Sequence, residues 1–139
     1  MDSIRDLLAR HEHAYAQRDP KALAADYARE ASVSSPMFPH AKGRAAIENS
    51  YVSLFRIFPD WQMTFEEPCI TGSRAMQFCR VRATQQGEFM GLRGSGKHLE
   101  FDCVLSFEFE DGFIVRERRI YDFTGLLIQL GVLRGKPAV

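Results

Sequence analysis

The sequence predicts an α+β fold: a curved, mostly antiparallel sheet wrapped around three N-terminal helices. Three observations predict it. Apolar stripes of helical period recur up to Phe58 and then stop. From Leu99 to Glu110 apolar and polar residues alternate strictly, the signature of a strand with one buried face. That run ends at Asp111-Gly112, the favoured pair for a two-residue type I′ hairpin turn, and a second strand pattern follows. A sheet curled around a helix leaves an open end, and such mouths are common ligand sites.

Composition narrows the function classes. The 139 residues suffice for one domain, 1–139, and are too few for two. Eighteen basic residues balance 18 acidic ones, so charge alone argues for neither nucleic acid nor an anionic membrane as partner. No apolar run is long enough for a membrane span. The start, MDSIRDLLARHEH, is charged throughout, unlike a signal peptide. Cys69, Cys79 and Cys103 are odd in number and lack metal-site spacing, so they read as small apolar residues of a reduced, cytoplasmic protein. Neither a metal nor a cofactor is expected.

The elements follow in order. Ser3 and Asp6 form a capping box, and Ile4, Leu7, Leu8, His11 and Tyr15 make the inner stripe of a first helix. Asp19-Pro20 caps and opens a short second helix, with Leu23 and Tyr27 on its buried side. Ala31–Ser34 reads as a strand. The two prolines of Ser35–His40 make that stretch a loop, carrying Met37, Phe38 and His40. Gly43 to Phe58 is a third helix with Ile47, Tyr51, Leu54, Phe55 and Phe58 on its apolar face, stopped by Pro59. Trp61, Met63 and Phe65 alternate as a strand. Ala75 to Gln86 is another, whose mixed parity predicts either two covered faces or a bulge. Gly87, Gly91, Gly94 and Gly96 open a strand rather than a helix and lack a GK[ST] ending, which argues against a phosphate loop.

An unbroken hairpin register would set Phe109 against Ile114, Leu105 against Arg118 and Phe101 against Asp122. Asp122 would then stand on the apolar face, together with Arg116 and Arg118. The arginines would snorkel at an edge, or a bulge would shift the parity; a three-residue loop would turn Asp122 to the other face. A carboxylate on an apolar wall has a raised pKa, which suits general acid/base work. Asp122 is therefore the expected catalytic residue, a salt bridge to Arg118 or Arg119 being its structural alternative. Tyr15, Met37, Phe38, His40, Phe55, Trp61, Gln86, Phe89 and Phe101 are the expected substrate contacts.

The stretches AQRDPKALAADYARE, GRAAIENSYVSLFRIFPDW, GEFMG with SGK and LEFD, and EDGFIVRERRIYDFTGLLIQLG occur in that order. Together they resemble the SnoaL-like polyketide cyclases of the nuclear transport factor two-like superfamily. The resemblance implies a cone-shaped α+β barrel with an apolar cavity, a homodimer formed through the sheet, and acid/base ring closure without metal or cofactor. It places the acid/base Asp at Asp122. The family often carries a His in the strand before GEFMG, where this chain has Thr84-Gln85-Gln86. Ketosteroid isomerases, of the same fold, place an Asp where Ser34-Ser35-Pro36 stands. Limonene epoxide hydrolases need an Arg-x-Asp pair, and the nearest sequence here is Glu100-Phe101-Asp102. The expected function is proton transfer on a small, apolar, oxygenated molecule of polyketide or steroid type. The alternatives are a non-catalytic binding or dimerisation module, or an epoxide hydrolase or dehydratase.

Overall fold

Helix α1 (Ile4–Ala16) begins where the capping box puts it: the Asp6 N–H donates to Ser3 Oγ at 3.1 Å. The computed structural model describes residues 3–38 and 40–135; Pro39 of the predicted loop and both ends of the expected 1–139 domain lie outside the described residues. Helix α2 (Pro20–Ala25) is capped by Asp19 and lasts six residues. Strand β1 (Tyr27–Ser34) therefore starts earlier than the predicted Ala31, and Tyr27 belongs to the sheet rather than to the helix. The reason is a backbone hydrogen bond from Ile114 N–H to Asp26 O, which draws the chain onto the sheet at once.

A two-residue strand β2 (Ala41–Lys42) precedes helix α3 (Arg44–Ile57). Strands β3 (Gln62–Phe65), β4 (Cys69–Thr71), β5 (Arg74–Thr84), β6 (His98–Glu110) and β7 (Phe113–Tyr121) follow, and helix α4 (Phe123–Gln129) closes the series. The short β2 and β4 were not expected from the sequence. The sheet order is β2-β1-β7-β6-β5-β3, with β4 also paired to β5. Every pairing is antiparallel except β1 with β7. The result is an α+β fold with a curved, open sheet.

The inner face carries Leu99, Phe101, Cys103, Leu105, Phe107 and Phe109 of β6, packed with Leu7, Leu8, Ile47, Tyr51 and Leu54 of the helices. Each large apolar side chain buried here contributes about 1.5–3 kcal/mol. Strand β5 has neither two covered faces nor a bulge. It alternates regularly, with Ala75, Gln77, Cys79, Val81 and Ala83 inside. Met76 and Phe78 lie on the outer face and are exposed. Gln77 is tolerated inside because its amide donates to Glu66 O at 2.9 Å and to Glu12 Oε1 at 2.6 Å.

The β6–β7 hairpin corrects the expected register. Its turn is as predicted, with Asp111 and Gly112 both at positive φ, 52° and 81°. Pairing then runs Phe109 with Ile114 but Glu108 with Arg116, so Val115 is an extra residue on β7. This bulge reverses the parity of everything after it. Leu105 faces Arg119 rather than Arg118, and Cys103 faces Tyr121. Arg116 and Arg118 turn outward to water, while Glu117, Arg119 and Tyr121 turn inward.

Candidate functional site

The parity reversal puts charge inside the apolar sheet. Glu117 is fully buried, and the Arg119 side chain is 11% exposed. The two lie two residues apart on one strand, hence on one face, and Arg119 Nε donates to Glu117 Oε2 at 2.8 Å. Burial by itself would raise the Glu117 pKa. The Arg119 guanidinium, with smaller help from His11 and Tyr27, overrides it and holds the carboxyl below its ordinary value.

Three tyrosines complete the cluster, each delivered by a different element. Tyr15 of α1 and Tyr51 of α3 have their hydroxyl oxygens 2.9 Å apart. Tyr51 and Tyr27 of β1 are 2.7 Å apart. The Tyr27 hydroxyl donates to Glu117 Oε1. Arg119 Nη2 donates to the Tyr51 oxygen at 2.9 Å, and its guanidinium lies 5.2 Å from the Tyr51 ring centroid. Burial raises all three phenols well above their ordinary range, so they are neutral at physiological pH.

This cluster forms part of the wall of a small cavity of about 30 Å³ at the concave side of the sheet. Tyr15, Arg119, Tyr121 and Ser35 are its principal polar lining. Met37, Phe38, Leu54, Trp61, Met63, Val81, Phe101 and Leu105 supply most of the apolar lining. Burial raises the Tyr121 phenol as well. Its oxygen accepts the Met37 N–H at 2.9 Å and lies 3.1 Å from Ser35 Oγ, so it ties the Met37–Phe38 loop to the sheet. The buried indole N–H of Trp61, a residue of this lining, has no hydrogen-bond partner among the described residues. An apolar chamber with a few convergent polar groups is the usual form of a small-molecule site.

The sequence-expected residues divide. Tyr15, Met37, Phe38, Trp61 and Phe101 line the cavity. Phe55 stacks on Tyr51 at 6.1 Å behind it, and Phe89 packs on Phe58 at 6.1 Å. His40 and Gln86 are exposed. The inward glutamine is Gln85, whose amide donates to the carbonyls of Gly87, Leu92 and Arg93 and shapes the glycine-rich loop.

Asp122 is not on the inner face, because the Val115 bulge reverses the parity on which that placement depended. It is exposed and serves as N-cap of α4, accepting the Gly125 N–H at 2.9 Å. Neither Arg118 nor Arg119 pairs with it among the described residues; Arg119 pairs with Glu117. Glu117 and Arg119 were missed because an unbroken alternation assigned them outside. The signal was present in the two charges at positions that a bulge would bury.

Beneath the tyrosines His11 Nδ1 lies 2.8 Å from Asp26 Oδ2, and Arg10 Nε donates to Asp26 Oδ1 at 2.9 Å. Among the described residues no group of three or more His, Cys, Asp or Glu is arranged to hold a metal, and no helix is long and apolar enough to cross a membrane.

Comparison with known proteins agrees with this architecture. TsrD from Streptomyces laurentii superposes with a TM-score of 0.82 at 22% identity, over 96% of this chain and 99% of that one. IdmH from Streptomyces antibioticus, provisionally assigned as a polyketide cyclase, gives 0.74 at 26% identity, over 91% and 96%. AclR from Streptomyces galilaeus, provisionally assigned as a hydroxylase, gives 0.79 at 23%, over 94% and 82%. Among curated proteins nothing matches. The sequence profile of the SnoaL-like polyketide cyclases matches residues 5–130, nearly the whole chain, and the protein belongs to that family.

Proposed function

We propose that the protein is a cofactor-free enzyme of cyclase or isomerase type that moves a proton on a small, apolar, oxygenated ring compound. The observation that carries this reading is Arg119 with Tyr15 in the wall of an otherwise apolar cavity. A guanidinium in a low-dielectric wall stabilises an oxyanion as it forms, and a phenol beside it can exchange a proton with the ligand. The likeness to IdmH supports a polyketide-type substrate. Asp122, exposed and engaged in capping, is the competing acid/base candidate. Met76, Phe78 and Ile120 are exposed on the outer sheet face, and Phe78, Val104 and Ile120 align across β5, β6 and β7. That stripe is the surface through which two copies would pair.

A test needs no knowledge of the natural substrate. Trp61 is the only tryptophan and lines the cavity, so its fluorescence reports ligand entry. Exchange of the α-protons of a bicyclic ketone such as α-tetralone in D₂O, followed by NMR, reports proton transfer. The expected result is saturable quenching and exchange about 10²-fold above buffer, lost in Tyr15→Phe and retained in Asp122→Asn. Loss in Asp122→Asn alone would move the chemistry to Asp122. Quenching without exchange would favour a binding module.

A further inference from the structure

We propose that the groove between α1 and β3 is the outer half of the ligand site, and that the ligand is a ring compound bearing an uncharged, hydroxylated arm. The proposal rests on the reading of the inner cavity as an acid/base site. Size is the first argument. The inner cavity, about 30 Å³, has room for little more than water. An apolar cavity needs about 150 Å³ to hold benzene. A ring compound therefore reaches Arg119 only if its body lies elsewhere. A groove of about 500 Å³ runs between the end of α1 and β3, the edge strand of the sheet. Tyr15, Trp61 and Met63 line both spaces, so these three side chains form the partition between them. In that partition the buried indole N–H of Trp61 has no hydrogen-bond partner among the described residues. An unmet buried donor costs free energy, and a ligand oxygen at the partition would meet it.

The groove differs from the inner cavity in its chemistry. Phe65, Met63 and Trp61 give it apolar lining, and Glu12, Arg18 and Asp60 give it charge. The fold fixes all three charged groups. Glu12 Oε1 accepts the Gln77 amide at 2.6 Å, Asp60 Oδ1 accepts the Thr84 N–H at 2.8 Å, and Arg18 Nη1 donates to Trp61 O at 3.0 Å. A carboxylate has two oxygens and a guanidinium five N–H donors, so anchoring one atom leaves each group able to bind a ligand. A hydroxyl both donates and accepts, so it suits both kinds of group. An ammonium cannot accept from Arg18. A carboxylate would meet two like charges against one opposite charge. The ring thus lies across the partition, its carbonyl end toward Arg119 and Tyr15, and its hydroxylated arm among Glu12, Arg18 and Asp60.

Three probes share one ring: α-tetralone, its 6-(2-hydroxyethoxy) derivative and its 6-carboxymethoxy derivative. Quenching of Trp61 gives the affinity of each for the wild-type protein and for two variants. In wild type the hydroxyethoxy compound is expected to bind about tenfold more tightly than α-tetralone, the worth of one hydrogen bond to a charged group, and the carboxymethoxy compound no more tightly than α-tetralone. Ala16→Phe fills the groove from an exposed position at the end of α1 that does not line the inner cavity, and should remove the advantage of the hydroxyethoxy arm. Glu12→Gln, whose amide oxygen still accepts from Gln77, should narrow the gap between the two arms about threefold. Circular dichroism checks each fold, and if Ala16→Phe does not fold the order of the probes and Glu12→Gln carry the test. Equal affinity for α-tetralone and the hydroxyethoxy compound, with α-proton exchange of α-tetralone undiminished in Ala16→Phe, overturns the groove while the acid/base reading stands. A carboxymethoxy compound that binds as tightly as the hydroxyethoxy one overturns the uncharged arm. Arm-dependent binding without proton exchange upholds the groove and removes the acid/base reading. Absence of saturable quenching by all three probes overturns both.

Discussion

Glu117 shows why a buried charge is safe only with its partners. Its two oxygens are held by Arg119 and Tyr27, so truncation strands a guanidinium in the interior. Glu117→Ala is expected to cost about 3–5 kcal/mol in urea unfolding. The pH dependence has a definite sign. The folded carboxyl titrates below its unfolded value, so it stabilises the fold above about pH 4.3, and that stability is lost as pH falls through the folded pKa. Urea unfolding of wild type and Glu117→Gln should therefore converge as pH drops below about 4.3. Asp122 has a different kind of role. It caps α4, and a Cβ added to Gly125 would lie 2.4 Å from its Oδ2, so a side chain at 125 would push the capping carboxylate aside. Asp122→Ala should cost about 1 kcal/mol of stability and leave Trp61 quenching by ligand unchanged.

At the scale of the element, the decisive feature is one extra residue. Val115 opposes nothing on β6, and every side chain from Arg116 onward changes face because of it. Deleting Val115 leaves Glu108 opposite Arg116 and Leu105 opposite Arg119, so the ladder becomes unbroken with Glu117, Arg119 and Tyr121 still on the inner face. The expected result is cooperative unfolding in urea with native Trp61 fluorescence, since these three keep their partners on β1, α3 and the Met37 loop. A deletion variant that lost cooperative unfolding would show that the local twist of the bulge is required as well as the parity it sets. The same reasoning explains β5. Its apolar Met76 and Phe78 face outward on a regular strand because Gln77 finds partners inside.

For the whole molecule, the sheet divides two tasks between its faces. The concave face holds the cavity, and the outer face presents Phe78, 53% exposed, beside Val104 and Ile120. An exposed apolar stripe of this kind commonly marks an interface. Phe78→Glu should turn a dimer into a monomer in sedimentation and remove the concentration dependence of the melting temperature. A wild-type protein that sediments as a monomer at micromolar concentration removes this reading. Phe78→Glu is expected to leave the quenching of Trp61 by ligand unchanged, since the stripe and the cavity lie on opposite faces of the sheet.

Local chemistry was sufficient for most of the frame. The capping box of α1, Asp19-Pro20 at α2, Pro59 after α3, the alternation of β6 and the Asp111-Gly112 turn are short-range effects, and each was legible in the sequence. So were the apolar residues lining the cavity at Met37, Phe38, Trp61 and Phe101, because large apolar side chains seek cover wherever the chain carries them. What the tertiary structure alone decided is the polar cluster. Tyr15, Tyr27, Tyr51, Glu117 and Arg119 come from four elements, and no local pattern records which of them meet. The bulge at Val115 is settled by the same long-range bargain. A ladder hydrogen bond is given up locally so that Glu117 and Arg119 can be buried as a satisfied pair among three hydroxyls, an energy that exists only once the helices are packed on the sheet.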